Sequence, residues 1–173
     1  DIFLNQRLIS QIDELYRTIR WVLQQNRKLL LCGNGGSAAD CQHIAGEFVG
    51  RLKKEREAWP ALSLCMDPSV LTCLSNDYSF NQVFKRPIEA FGEPGDLLIA
   101  LSTSGNSENI RNAIETAKTQ KILTCLITNR NGGAAASSSD KTLYIPTENT
   151  QVVQEVTITI FHILCGRLEN EKG

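Results

Sequence analysis

The sequence predicts an α/β protein in which helices cover both faces of a five-stranded parallel sheet. Two observations predict this class. Short apolar runs alternate with longer amphipathic segments along the 173 residues, and two of the runs end in loops of Gly, Asn and Ser that open a helix. Strands buried on both faces read as continuous apolar runs, so we expect a single-domain three-layer sandwich that spans residues 1–173.

The predicted elements follow one another in a regular order. Apolar side chains at helical spacing predict an N-terminal amphipathic helix over about 2–26, from Ile2 to Gln25, with the apolar positions Leu4, Leu8, Ile12, Leu15, Ile19 and Val22. The strands are predicted at Lys28–Cys32, Ala61–Cys65, Asp96–Leu101, Ile122–Thr128 and Thr142–Ile145. The remaining helices are predicted at Ser37–Val49, Pro68–Ser75, Phe80–Phe91, Ser107–Thr119 and Val152–Glu171.

Composition excludes several classes of function. The formal net charge is −1 and no basic stripe is present, so we expect no nucleic-acid partner. No apolar run approaches the roughly 20 residues that span a bilayer, so we expect no membrane association. The six cysteines lack a CxxC pair, and Cys32, Cys65 and Cys125 fall in predicted strands. They are therefore predicted to be buried, reduced thiols, which favours the cytoplasm.

The loop Ser102–Ser107 follows a predicted strand and opens a predicted helix. Backbone N–H groups and the positive end of the dipole at a helix N-terminus suit a phosphate monoester. A serine such as Ser107 could instead be an ordinary helix cap. Because the loop carries four hydroxyls in six residues, which exceeds what a cap requires, it predicts a phosphate site.

The loop Gly33–Ser37 repeats this arrangement after an earlier strand. Gly33, Gly35 and Ala38 satisfy the dinucleotide pattern G-x-G-x-x-A, but Asp67, the acid expected to bind a ribose, lies farther along than about 20 residues. Gly36 and Ser37 make the turn more typical of a sugar-phosphate loop. No P-loop sequence occurs. Together the two loops predict that a phosphorylated small molecule is held between them.

Both histidines of the chain fall on predicted helices. His43 and Glu47 are four residues apart and share one helix face, as an ordinary surface pair also would. His162 lies in an apolar helix, where a lone histidine is most often a core residue. Helical spacing aligns His162 with Glu155 better than with Gln154, and it leaves open which of the two shares a site.

These segments together resemble the sugar isomerase (SIS) domain family, and within it the phosphoheptose isomerases, over nearly the whole chain. The resemblance rests on the order and spacing of six matching segments: Cys32–Asp40, His43–Glu47, Ser75–Phe80, Ser102–Ser107, Gly132-Gly133 and Gln154–His162. It implies a flavodoxin-like SIS fold. It also implies a cytoplasmic homotetramer with interfacial active sites that converts sedoheptulose 7-phosphate to D-glycero-D-manno-heptose 7-phosphate, a step toward lipopolysaccharide heptose.

The resemblance also implies roles for individual residues. Glu47 and His162 correspond to the catalytic pair, which suits an isomerisation that needs a base and an acid. Zinc, expected at one ion per subunit, would be held by His43, Glu47, Gln154 and His162. The substrate-binding positions correspond to Asn34, Gly35, Gly36, Ser37, Asp77, Ser102, Thr103, Ser104, Ser107 and Gln154.

Two departures from the family pattern occur in the last helix. Thr157 stands where many members carry a second histidine, and Val152-Val153 stands where Arg-Ile is common. The alternative function is a non-catalytic SIS protein that binds a phosphosugar or a replication-initiator protein. An isomerase of another sugar phosphate, such as arabinose 5-phosphate, is a third. A scaffold would have no reason to keep His43, Glu47 and His162, so their presence favours the enzyme.

Overall fold

The fold is built on one parallel sheet. A computed structural model describes residues 2 and 5–171, and within them the strands are ordered β2-β1-β3-β4-β5. Every pair of neighbouring strands is parallel. The strands are β1 (Leu29–Gly33), β2 (Ala61–Ser63), β3 (Leu97–Leu101), β4 (Leu123–Asn129) and β5 (Lys141–Ile145).

Helices cover both faces of this sheet and confirm the predicted sandwich. Helices α1 and α2 both pack on α6 and on the sheet, and α5 packs against β3 and β4 with α4 beside it. None of the helices in residues 2 and 5–171 has the length and apolar character needed to cross a bilayer. The helices are α1 (Gln6–Gln24), α2 (Gly36–Val49), α3 (Pro68–Asp77), α4 (Lys85–Phe91), α5 (Glu108–Thr119) and α6 (Thr150–Glu171), and short 3-10 helices lie at Phe80–Gln82 and Ala134–Ser137.

The strand order creates a crevice at the end of the sheet where the parallel strands have their carboxyl termini. β1 and β3 are neighbours, yet the chain leaves β1 toward β2 and leaves β3 toward β4, on opposite sides. Connections that diverge in this way open a ligand site beyond the carboxyl ends of the two strands. Both strands are buried along their whole length, so the loops that follow them start from rigid supports.

Most predicted elements are found within a few residues of their predicted ends, and two differ in an informative way. The predicted helix Phe80–Phe91 is wrong as one element: the chain forms a 3-10 turn and then α4. Pro87 falls in the first turn of α4, and because it has no N–H it could not continue a helix from Phe80. β2 ends at Ser63, two residues early, because the Ser63 hydroxyl accepts the N–H of Cys65 at 3.3 Å.

The N-terminal helix is shorter than the predicted 2–26. Asn5 caps α1, since its side chain accepts the N–H of Leu8 at 3.0 Å. Asn26 ends it with a positive φ of 55°, a conformation common just past a helix. The predicted apolar position Leu4 lies outside the described residues. The apolar stripe from Leu8 onward faces the core, as expected.

A buried carboxylate fixes the segment between α2 and β2, which contains no regular structure. Near the end of α6, Glu169 has a side chain only 1% exposed. It accepts the backbone N–H groups of Leu52, Lys53 and Lys54 at 2.9–3.1 Å, and Arg56 Nε lies 3.4 Å away. Burial would raise the pKa of Glu169, but these donors outweigh it and hold that pKa below its usual value.

We expect Glu169→Gln to lower the free energy of unfolding at neutral pH by about 3 kcal/mol, because Arg56 loses its buried counter-charge. A depressed folded pKa means that the carboxylate stabilises the fold above its unfolded pKa of about 4.3 and stops doing so as the pH falls through the folded pKa. In urea titrations the difference between wild type and variant should therefore shrink from pH 7 to about pH 3.5. Glu55→Gln, at an exposed position of the same segment, is the control. A difference independent of pH would contradict this account.

Candidate active site

The crevice beyond the carboxyl ends of β1 and β3 contains a cavity of about 260 Å³. The serine loop after β3, the glycine loop after β1 and the first turn of α6 surround it. Eight of the ten predicted substrate-binding residues line it, together with Leu101 and Thr150, which the sequence did not single out. Those eight are Asn34, Gly36, Ser37, Ser102, Thr103, Ser104, Ser107 and Gln154.

The hydroxyls of the serine loop are positioned for an anion. Ser107 occupies the N-cap of α5, but its side chain makes no capping hydrogen bond, so the cap alone does not explain it. The hydroxyl oxygens of Ser102 and Ser104 accept the N–H groups of Gly105 and Asn106, at 3.1 and 3.2 Å. Their O–H groups are left as donors. Hydroxyl donors at a helix N-terminus form a favourable site for a phosphate dianion.

Glycines hold the serine loop against the loop that follows β4. Gly105 has a φ of +66°, and a Cβ built there would lie 1.8 Å from the carbonyl oxygen of Gly132. A Cβ at Gly133 would lie 2.4 Å from the Ser104 carbonyl oxygen. The backbone N–H of Ala135 donates to the Gly105 carbonyl at 2.8 Å. Two backbones approach so closely here that only glycine fits, which explains the Gly132-Gly133 segment.

A pair of amides links the two loops. Asn34 and Asn109 exchange side-chain hydrogen bonds of 2.8 and 3.0 Å, and Asn109 is buried at the start of α5. Sequence reasoning missed Asn109, because nothing in its spacing shows that it meets a residue 75 positions earlier. Asn149 in turn accepts the N–H groups of Gln151 and Val152 and so caps α6 beside the cavity.

A second cluster joins the two histidines and a glutamate. His43 and Glu47 face the same way on α2, with Nε2 and Oε1 3.3 Å apart. His162 on α6 places its Nε2 3.2 Å from that of His43. One ligand atom from each residue lies within 4.8 Å of the other two, so the three side chains could hold a metal ion. Glu47 Oε2 is buried without a hydrogen-bond partner in the described part of the chain.

Three other acidic candidates lie outside these two groups. Burial raises the pKa of Asp40, one turn before His43, and the charge of His43 partly offsets that rise. Asp77 is exposed at the end of α3 and does not line the cavity; hydrogen bonds from Asn76 and Cys73 lower its pKa. Asp67 caps α3 by accepting the N–H groups of Ser69 and Val70, which explains it without a ribose.

The last helix, α6, contributes side chains both to the cavity and to the His/Glu cluster. Gln154 lines the cavity, and a Cβ on Gly36 would lie only 2.4 Å from its Nε2. Glu155 is exposed and does not line the cavity. Eight residues of helix separate Gln154 from His162, or about 12 Å along the axis. Thr157 is buried and donates to the Val153 carbonyl at 2.7 Å, so this departure from the family pattern lies in the core.

Comparison with known proteins defines the class. The sequence model of the SIS domain family matches residues 3–129, more than half of the chain. The chain therefore belongs to the SIS domain family.

Closer relatives narrow this further. The chain is 45% identical to the phosphoheptose isomerase of Clostridium acetobutylicum over 98% of its own length and 87% of that protein. The solved phosphoheptose isomerases of Neisseria gonorrhoeae and Francisella tularensis superpose with a TM-score of 0.89 each, at 35% and 31% identity. These alignments cover 94% and 93% of this chain, and 87% and 86% of theirs. Within the SIS domain family, the chain belongs to the phosphoheptose isomerases.

The close approach at Gly105 gives a test of the phosphate cavity. We expect Gly105→Ala to weaken binding of inorganic phosphate at least tenfold and to lower the free energy of unfolding by about 2 kcal/mol, because the Cβ is strained and collides with Gly132. Gly46→Ala is the matched control. Gly46 lies inside α2 with open space around it, so the alanine should stabilise the protein by about 0.5 kcal/mol. Calorimetry and urea unfolding measure both effects, and wild-type phosphate affinity in Gly105→Ala would contradict the assignment.

Proposed function

We propose that the chain catalyses the aldose–ketose isomerisation of sedoheptulose 7-phosphate to D-glycero-D-manno-heptose 7-phosphate. One observation carries the proposal: the phosphate-type cavity and the His/Glu cluster lie along the same two helices. Helix α2 contributes Ser37 to the cavity and Glu47 to the cluster, and α6 contributes Gln154 and His162. The separation of about 12 Å along α6 is comparable to an extended seven-carbon chain with a terminal phosphate.

In this proposal the cavity binds the phosphate and the first carbons beside it. Ser102, Thr103, Ser104 and Ser107 donate to the phosphate oxygens. Holding the phosphate far from the reacting carbons orients the sugar, which converts binding energy into positioning. The other proposed substrate-binding residues are Asn34, Gly36, Ser37 and Gln154, which also line the cavity, and Gly35 and Asp77, which do not.

Glu47 and His162 carry the proton transfers. Isomerisation of a 2-ketose moves a proton from C1 to C2 through an enediol, while a second proton moves between the two oxygens. One of the two side chains takes the carbon-bound proton, and the other serves the oxygens. Glu47 presents a partly buried carboxylate, 19% exposed, beside the imidazole of His43, which is 48% exposed.

The cluster fits zinc as a cofactor. Two imidazole nitrogens and one carboxylate oxygen are a common zinc ligand set, and the orphaned Glu47 Oε2 is a further acceptor. Bound zinc would supply Lewis-acid polarisation of the substrate carbonyl. His43, Glu47 and His162 would hold the ion. The role of Gln154 as a fourth ligand stays a prediction, because its side chain lies in the phosphate cavity.

We further propose that the protein assembles as a homotetramer with interfacial sites and acts in the cytoplasm. Exposed apolar side chains support the assembly: Trp21 on α1 is 48% exposed, and Val49 and Ile163, which follow the cluster in sequence, are 50% and 47% exposed. Covering such side chains with another copy of the chain would stabilise it. Five of the six free cysteines are buried, including the three predicted to be, as suits a reducing compartment.

Glu47→Gln tests the catalytic pair. We expect the turnover number to fall by about 10³-fold, because an amide cannot accept the proton, while phosphate affinity stays at the wild-type value. The matched comparison is Glu155→Gln, since Glu155 is exposed beside Gln154 and should be dispensable. Steady-state kinetics and phosphate calorimetry measure the two quantities. Wild-type turnover in Glu47→Gln would remove this residue from the mechanism.

An assay on sedoheptulose 7-phosphate, with and without a zinc chelator, tests the reaction and the metal together. We expect turnover that is lost on chelation and restored by added zinc. Turnover that survives complete chelation would support the isomerase activity and contradict the requirement for zinc. An inactive zinc-replete protein would contradict the proposed function, and the alternatives are then another sugar phosphate or a non-catalytic SIS protein.

A further inference from the structure

An arginine in the segment after α2 binds the backbone of the helical turn that carries Glu47. Arg56 Nη2 donates to the carbonyl of Glu47 itself at 2.7 Å, and Nη1 donates to those of Phe48 and Glu57 at 2.9 Å each. The guanidinium lies 3.5 Å from the ring centroid of Trp59. The last carbonyls of a helix lack intrahelical partners and carry partial negative charge, so a buried cation here fixes the turn.

We propose that Arg56 and Glu169 are positioning residues that hold the carboxylate of Glu47 against the two histidines. The proposal rests on the role proposed above for Glu47. Glu169 holds Arg56 and the preceding backbone N–H groups, and Arg56 holds the Glu47 carbonyl. The contacts therefore run from α6 through this segment to Glu47, one of the two residues proposed to transfer protons.

The contacts between α2 and α6 advance in the same direction along both helices. Gln154 meets Gly36 at the start, His162 meets His43 in the middle, and Glu169 binds the segment just beyond the end of α2. His162 and Glu169 are seven residues apart and so lie on one face of α6. The Arg56–Glu169 pair, the clamp, is thus the last of three attachments between the two helices. It is the attachment that adjoins the turn carrying Glu47.

Buried Cys165 marks the same face between His162 and Glu169. Burial and the charge of Glu47 raise the pKa of its thiol to about 12, while Arg56 opposes that rise. The pKa of this buried thiol therefore responds to the charges of Glu47, Arg56 and Glu169. Arg51 is the nearest other arginine in the sequence, and its ion pair differs from that of Arg56. It pairs with Glu55 at the surface, where an ion pair contributes little to stability.

The test uses Arg56→Lys, with Glu169→Gln as a second variant should the first fail to fold. Lysine keeps the charge but cannot reach the three carbonyls and stack on Trp59 at once. We expect the turnover number to fall at least tenfold and the Michaelis constant to stay within about twofold, since the phosphate cavity is untouched. Arg27→Lys, at an exposed ion pair before β1, is the matched control. Ile19→Val in the core of α1 controls for lost stability alone.

A second readout does not depend on turnover. The chain has only two histidines, and both belong to the cluster, so imidazole NMR signals report on this site alone. We expect Arg56→Lys to shift both ring signals and the two controls to leave them in place. In a Glu47→Gln background the shift caused by Arg56→Lys should largely disappear, because its effect passes through the carboxylate.

The outcomes separate the two proposals. If the wild type does not turn over sedoheptulose 7-phosphate, the proposed function fails, and the histidine signals still decide whether the clamp positions Glu47. If folded Arg56→Lys keeps the wild-type turnover number, or leaves the histidine signals unmoved, the clamp is only structural. A shift of equal size in the Glu47→Gln background would also overturn the positioning role.

Discussion

The adjacency of β1 and β3 is the constraint on which the rest of the molecule depends. Because these two parallel strands lie side by side while their connections diverge, their carboxyl ends open a crevice that neither loop could form alone. The serine loop and the glycine loop are brought to the two sides of one cavity, and the Asn34–Asn109 amide pair joins them. The proposed phosphate site therefore depends on strand order first and on serine hydroxyls second.

Helices α2 and α6 connect the cavity to the His/Glu cluster. Both helices begin at the cavity and run in the same direction, and His43 meets His162 about two turns after the start of α2 and more than three turns after the start of α6. Helices are stiff over this length, so the distance between the phosphate cavity and the His/Glu cluster is set by the rise per residue rather than by flexible loops. The buried Arg56–Glu169 pair closes the far end of the same two helices.

The sequence predicted the parts of the fold that depend on local pattern. The buried strands, the N-terminal amphipathic stripe and the serine loop are readable because apolar runs, helical spacing and turn residues are local signals. It could not predict that Ser63 ends β2 or that Glu169 binds three N–H groups over 110 residues away, since these are tertiary contacts. The His/Glu cluster was predicted from the family resemblance. Spacing alone was equally compatible with His43 and Glu47 as an ordinary surface pair and with His162 as a core residue.

The energetics of the cluster favour catalysis over a purely binding role. Among the residues that the structure describes, none pairs with the buried Glu47 Oε2, and leaving such an acceptor unpaired costs about 1–3 kcal/mol. A protein that only sensed a phosphosugar would bind it through the serine loop and would gain stability from an apolar side chain at Glu47. A buried polar group without a partner is typical of a site with a catalytic or ion-binding role. The cluster also lies some 12 Å along α6 from Gln154 and the cavity. Under the proposed function it would meet the carbonyl end of a long sugar phosphate whose phosphate group occupies the cavity.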